Sequence, residues 1–338
     1  MNFYNKEWLR NTIVLFLVIS IFSCKKDKDA IPGNPTSLTY NSAAHIYGTG
    51  ILENIGRYEY IIDPATGQFD TLSGTMTTGG GFNFPIGPTK LTSFDNNQRI
   101  FISPAIDHHL ILQDLTTFQY DTVEIRVDNP TDIVIFPQFI FFGSNENELY
   151  LVDTDESLWM INTENGEVER VFETLDASNE FQILNIFYIE SIDVFLLATK
   201  PNGGGGTMNL MLMDRSTLDV TYETTVSESF GFVQHPDEDK IYCLLIPDGD
   251  KKFRLMEISI FTDLIVFNQK SASDLAIDEL SPNLQTIHTA TNSYICRGGS
   301  NAIEAPTNTL YMIDLGTGEL KSGVELTDSG LILNLAGE

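Results

Sequence analysis

Apolar residues in this chain come in short runs cut by polar turns, and one phrase returns six times. A strand ends on a polar anchor, a tight turn follows, and a second strand begins. The copies read Tyr60-Ile61-Ile62-Asp63-Pro64-Ala65-Thr66-Gly67, Leu112-Gln113-Asp114-Leu115-Thr116-Thr117 and Trp159-Met160-Ile161-Asn162-Thr163-Glu164-Asn165-Gly166. They continue as Leu212-Met213-Asp214-Arg215-Ser216-Thr217, Met256-Glu257-Ile258-Ser259-Ile260-Phe261 and Tyr311-Met312-Ile313-Asp314-Leu315-Gly316-Thr317-Gly318. The anchors Asp63, Asp114, Asn162, Asp214, Ser259 and Asp314 stand 51, 48, 52, 45 and 55 residues apart. Helical periodicity is nearly absent, so the pattern predicts an all-β chain.

The second copy shows one whole unit. Strands are predicted over residues 90–94, 99–103, 109–113 and 119–124, with Asp95-Asn96-Asn97-Gln98 as a turn that tolerates left-handed backbone. The second strand of each unit is a near-continuous apolar run, as in Leu149-Tyr150-Leu151-Val152 and Val194-Phe195-Leu196-Leu197, which suits a strand buried on both faces. A repeat of roughly 40–50 residues holding four short strands is the signature of a β-propeller. The expected fold is a single propeller of six four-stranded blades, or seven if the first repeat hides a degenerate neighbour. The first repeat starts over residues 37–47 with a weak inner strand. Gly330-Leu331-Ile332-Leu333-Asn334-Leu335 offers a spare one, and pairing it into the first blade would close the ring and remove two sheet edges.

Phrases such as Ile313-Asp314-Leu315-Gly316-Thr317-Gly318-Glu319-Leu320 resemble the broad YncE-like and WD40-like propeller superfamily. The resemblance spans residues 40–338 and is architectural. Such propellers host unrelated functions, so function has to be read from a site.

The N-terminus reads as a targeting segment. Lys6 and Arg10 precede an apolar run over residues 12–22, the length of a signal-peptide core and short for a membrane span. The run ends at Ser23-Cys24, which resembles a bacterial lipobox and implies cleavage before Cys24 and lipid on that residue. Phe22 departs from the pattern, where a small residue is usual. Cys24-Lys25-Lys26-Asp27 is similar to the start of surface-exported lipoproteins of the Bacteroidota, which implies an outer-membrane protein displayed at the cell surface, with the periplasmic face as the alternative. The expected organisation is a signal peptide over 1–23, a charged then Pro/Gly-rich tether over 24–37, and the propeller over 38–338.

The chain carries 19 basic and 47 acidic side chains, a net charge of −28. Loss of residues 1–23 removes Lys6, Arg10 and Glu7 and leaves 17 against 46, a net of −29. That balance argues against nucleic acid and anionic membrane surfaces as partners, leaving the lipid as the membrane contact. Cys243 and Cys296 fall in second strands of neighbouring repeats, which usually stand too far apart for a disulfide, so two buried free thiols are expected.

In propellers the loops joining second to third strands, and those joining blades, share the usual binding face. Arg57, Lys90, Lys200, Lys251, Lys252, Lys270 and Arg297 all map there, seven of the 14 basic residues outside the leader and tether. They could form a pocket for a carboxylate-bearing ligand, or be scattered solvated charges. Asp107-His108-His109 joins a carboxylate to two imidazoles, though adjacent strand residues point to opposite faces. Phe82 and Phe84, in a Gly-rich stretch, and Phe181 and Phe230 near interblade turns could stack on a ligand or pack between blades. The ligand-binding candidates are therefore Arg57, Lys90, His108, Lys200, Lys251, Arg297, Phe82 and Phe84.

Catalytic motifs are thin. No GxSxG, HExxH or P-loop pattern occurs. His235-Pro236-Asp237-Glu238-Asp239 reads as an acidic surface turn, and Asp153-Thr154-Asp155-Glu156-Ser157 is too short for an EF-hand. No cofactor is predicted, with calcium left open. A lactonase-like metal site would need polar groups converging on the channel, for which Asn83, Asp132, Glu180 and Asp274 qualify by position. The expected function is a non-catalytic envelope lipoprotein binding a small molecule, glycan or protein on its loop face, accessory to an outer-membrane uptake transporter that takes siderophores or glycans. A metal-dependent hydrolase and a protein-interaction scaffold are the alternatives.

Overall fold

The computed structural model describes residues 44–52, 56–71, 92–94, 98–102, 109–114, 120–125, 139–144, 147–152, 156–172, 181–202, 207–246, 252–277, 280–299, 308–327 and 331–336. The predicted leader, Cys24 and the tether lie outside them. The described residues fold as an all-β propeller of antiparallel meanders.

The chain opens with β1 (Ile46–Leu52), β2 (Gly56–Ile62) and β3 (Phe69–Thr71). A second sheet holds β4 (Thr92–Phe94), β5 (Gln98–Ile102), β6 (His109–Asp114) and β7 (Tyr120–Glu124), each within two residues of the predicted start. A third holds β8 (Phe139–Phe142), β9 (Glu148–Val152), β10 (Leu158–Asn162) and β11 (Val168–Phe172). The fourth is β12 (Phe181–Ile189), β13 (Val194–Pro201), β14 (Thr207–Asp214) and β15 (Val220–Ser227). The fifth is β16 (Ser229–Gln234), β17 (Lys240–Leu245), β18 (Arg254–Phe261) and β19 (Leu264–Gln269). The sixth is β20 (Leu280–His288), β21 (Ser293–Gly298), β22 (Thr309–Asp314) and β23 (Leu320–Glu325). The last strand, β24 (Leu331–Ala336), pairs antiparallel with β1 and supplies the inner strand of the first sheet. Five sheets are thus continuous meanders, and the remaining one is shared between the two ends of the domain.

Apolar layers lie between consecutive sheets. Phe141, Tyr150 and Leu158 of the third sheet meet Ile186, Phe195 and Met211 of the fourth. Phe187, Leu196 and Leu210 of the fourth meet Ile241, Cys243 and Ile258 of the fifth. Tyr242 and Leu255 of the fifth meet Ile287, Tyr294 and Ile313 of the sixth. Ile295, Leu310 and Met312 of the sixth meet Ile46, Tyr60, Ile62 and Leu335 of the first. A second strand faces a neighbour on either side, so β21 is buried at every position and β13 over its first six. Outer strands β15 and β23 alternate exposed and half-buried residues, because one face of each looks to water.

The recurring phrase makes the turn that joins third and fourth strands. In four sheets the anchor's side-chain oxygen accepts the backbone N–H two residues on. The distances are 2.8 Å at Asp63 and 2.9 Å at Asn162, Asp214 and Asp314. The anchor's carbonyl then accepts the N–H of Gly67, Gly166, Leu218 or Gly318, each at 2.8 Å. The three glycines hold φ of +73°, +74° and +70°. They also press on the preceding sheet: a Cβ on Gly166 would lie 1.9 Å from the Glu124 carbonyl oxygen, and one on Gly318 2.3 Å from the Ser271 nitrogen.

The fifth copy departs from the pattern. Ser259 is not a turn anchor; it lies inside β18 opposite Val266, and Thr262 and Asp263 make the turn. Ser-Ile-Phe supplies neither the Asp/Asn side chain nor the glycine that bends the chain elsewhere, so the strand runs two residues past the anchor position.

Candidate functional site

Of the candidate site residues, Cys24, Phe82, Phe84, Lys90, His108 and Lys251 lie outside the described residues, as do Asp107, Asn83, Asp132 and Glu180. Arg57, expected on a loop of the binding face, lies in a strand. The structure puts residues 48–52 in β1 and Arg57 in β2, opposite Ile51. His109 begins β6. Lys200 and Arg297 also sit in strands, β13 and β21, because both strands run beyond their apolar cores to pair with long neighbours.

The described cations of the loop face do not share one opening. Lys200 is 3.3 Å from Glu228. Lys252 is 3.5 Å and Arg254 2.8 Å from Asp274, which Arg254 holds below the usual carboxylate range. Arg297 has no exposed surface; its Nε donates to Asn308 Oδ1 at 2.6 Å, and burial lowers its pKa. Lys270 is 3.0 Å from Glu257.

Glu257 is the one buried carboxylate among the described residues. It is buried, with Tyr242 Oη donating at 3.0 Å and Asn268 Nδ2 at 3.4 Å, while Lys240 stands 3.9 Å away. Tyr242, Glu257 and Asn268 stand opposite one another on adjacent strands. Burial alone would raise the Glu257 pKa, but the donors from Lys270 and Tyr242 outweigh it and hold it below its ordinary value. The same burial and the neighbouring carboxylate push the Tyr242 phenol up.

A cavity of about 350 Å³ opens where the fourth and fifth sheets meet at their turn ends. Ser191 and Ile192 of the short 3-10 turn after β12 line one side. Asp239, Lys240, Ser259, Ile260, Phe261 and Thr262 line the rest. Lys240 is neutralised by Glu238, whose hydrogen bond raises the lysine pKa. Phe261 is 52% exposed, a large apolar side chain left in water at the rim. Phe261, Ser191, Ser259, Thr262 and Asp239 are thus all among the residues that line the cavity. Sequence reading missed it because Phe261 was assigned to a turn on the face opposite the usual site.

At the same turn end, Arg215 ties the third sheet to the fourth. Its guanidinium donates to Tyr150 Oη at 2.9 Å, Glu148 at 3.1 Å and Asp193 at 3.2 Å, and lies over the Tyr150 and Tyr188 rings. Tyr188 donates to Asp193 at 2.8 Å, and its phenol is pushed up to about 12, first by burial and then by that carboxylate. The guanidinium, both phenols and both carboxylates of this cluster are thus hydrogen-bonded to one another. Cys243 and Cys296 are buried free thiols, as expected, and burial pushes the Cys243 pKa up to about 12. Among the described residues no group of three or more His, Cys, Asp or Glu side chains could hold a metal ion.

No protein-family model matches the chain, and no curated protein matches it. Solved structures do. A putative 6-phosphogluconolactonase from Bacteroides uniformis ATCC 8492 is similar at a TM-score of 0.50 and 11% identity, covering 86% of this chain and 99% of that one. The Myceliophteria thermophila Cps50 (Swd1) beta-propeller domain gives 0.47 at 14% identity, covering 86% and 89%. Kuenenia stuttgartiensis hydrazine synthase gives 0.46 at 11%, covering 88% and 90%. At such identities the likeness speaks to the fold alone.

Proposed function

We propose that the chain is a cell-envelope lipoprotein, anchored through Cys24, whose six-bladed propeller captures an extracellular carbohydrate for an outer-membrane uptake transporter without transforming it. In this reading each four-stranded sheet is one blade and β24 closes the ring. The observation that carries it is Phe261, over half exposed beside a cavity whose lining residues include Ser191, Ser259, Thr262 and Asp239. A sugar ring offers a C–H face for an aromatic and hydroxyls for oxygen partners, and this lining matches both needs. Siderophore capture is the weaker ligand class, since Lys200, Lys252 and Lys270 each face a carboxylate already.

The test is thermal denaturation of the purified chain with neutral oligosaccharides, ferric siderophores, calcium and zinc. A sugar at about 100 times its Kd should stabilise the fold by about 2.7 kcal/mol, a rise of a few degrees. Phe261→Ala should abolish that rise while leaving the unliganded melting point within a degree or so. A sugar-induced shift that survives the substitution sinks the cavity assignment. A shift with a divalent cation alone would favour the metal-dependent hydrolase, a reading that draws on likeness to the putative lactonase. No shift with any ligand would favour the protein-interaction scaffold.

A further inference from the structure

Each four-stranded sheet ends on an outer strand that pairs on one side among the described residues. Natural proteins guard such edges with charge, because an open row of backbone donors and acceptors invites another strand. Five of the outer strands follow the rule: Asp70 stands in β3, Asp121 and Glu124 in β7, Glu169 and Arg170 in β11, Glu223 in β15, Lys321 and Glu325 in β23. The sixth does not. β19 reads Leu264-Ile265-Val266-Phe267-Asn268-Gln269, with no charged side chain. Ile265 and Phe267 face the core between the fourth and fifth sheets. Leu264 and Val266 point the other way and are 45% and 39% exposed. They are two of only four large apolar residues exposed among those described, and a third, Phe261, stands opposite Leu264.

We propose that β19 is a self-association edge: it pairs antiparallel with β19 of a second copy about a two-fold axis at Val266, fusing two fifth sheets into one. Such an interface is isologous, so the strand has to complement itself. In this register Val266 meets its own mate and Leu264 meets Asn268, which covers both exposed apolar side chains. The strand ends are compatible with this occupant: exposed Asp263 precedes the strand and Lys270, whose ammonium is 3.0 Å from Glu257, follows it, so antiparallel pairing sets each Asp263 beside the Gln269–Lys270 end of the other copy and not beside its own mate. The net charge of −28 opposes association in general. With a screening length of about 8 Å at physiological salt, however, the contact is governed by its local charges.

Sedimentation equilibrium of the full-length chain in density-matched detergent, over a hundredfold concentration range, tests this. The wild type should pass from monomer to dimer mass. Val266→Lys sets two ammonium groups against each other at the axis and should need at least tenfold higher concentration to dimerise, with an unchanged circular dichroism spectrum. A second variant guards against a folding defect. In a Cys24→Ser background, where Cys243 and Cys296 are buried, Val266→Cys should form a disulfide-linked dimer on mild oxidation, whereas Asp237→Cys, on the turn between β16 and β17 and away from the paired edge, should not. A wild type that stays monomeric throughout overturns the proposal and leaves the edge to a strand from another protein. So does a Val266→Lys chain that dimerises as the wild type does, or a Val266→Cys chain that cross-links no faster than the control.

Discussion

Gly318 shows how one residue answers two demands at once. Its φ of +70° is left-handed, and its missing Cβ lets the turn of the sixth sheet rest on Lys270 and Ser271 of the linker after β19. Ser271 Oγ then donates to the Gly318 carbonyl at 2.8 Å. Gly318→Ala adds left-handed strain of about 1–2 kcal/mol and a backbone overlap, so it should destabilise the domain by about 2 kcal/mol or more in urea denaturation. Leu218 holds the same place in the fourth sheet at φ +61° and offsets its strain by packing into the core between the third and fourth sheets. Glu257 makes the matching case for charge. Its folded-state pKa lies below the ordinary value of 4.5, so its contribution is present above that value and is lost as pH falls through the lower, folded one. Glu257→Gln leaves Lys270 facing no carboxylate there and should cost about 2–3 kcal/mol at pH 7, somewhat less than a fully buried pair because Lys270 still reaches water. The gap between variant and wild type should close as pH falls below 4.5 and through the lower, folded-state pKa, where the wild-type carboxylate takes up its proton. A gap of equal size at neutral pH and below that folded-state pKa would mean that shape, and not charge, is what Glu257 supplies.

Elements were legible where one physical cause governed them. Second strands are buried on both faces, so their apolar runs stand out in any context, and β9, β13, β17 and β21 fall where those runs lie. The Asp/Asn-anchored turns are local chemistry and recur as read at Asp63, Asn162, Asp214 and Asp314, while the turn after Asp114 lies outside the described residues. First strands were harder, because they are bulged. Register shifts interrupt β12 between Ile183 and Asn185, β16 between Phe230 and Val233, and β20 between Leu280 and Gln285. The groups freed there are met by neighbouring sheets: Asn185 Nδ2 donates to the Phe232 carbonyl at 3.3 Å, and Tyr294 Oη to the Gly231 carbonyl at 2.6 Å. Such partners are distant in sequence and leave no local signal. The site was hidden for a related reason. A lysine looks available in a sequence, and only the fold shows that Lys200 faces Glu228 and that Arg297 is sealed inside β21. Phe261 was invisible as a rim residue because its exposure depends on how far β18 runs before turning.

At the scale of the molecule, each apolar layer among the described residues lies between two sheets, so no sheet is stable alone and the domain depends on joining its ends. That joint is β24 on β1, from Tyr47 opposite Ala336 to Ile51 opposite Leu331. Leu335 completes the layer formed by Ile46, Tyr60, Ile62, Ile295 and Leu310. Removing residues 329–338 should therefore do more than trim a tail: it opens the edge of β1 and uncovers the layer shared by the first and sixth sheets. The truncated chain should melt at least 10 °C lower or aggregate on expression. A synthetic peptide spanning 329–338, added in excess, should restore most of the loss with a concentration dependence set by its own affinity. Hydrogen exchange would locate the effect, with protection lost first in β1 and β2 and last in the fourth sheet, on the far side of the strand order. A truncated chain that melts with the wild type would mean that the layers between sheets hold the domain without the joint, and that β24 serves mainly to guard the edge of β1.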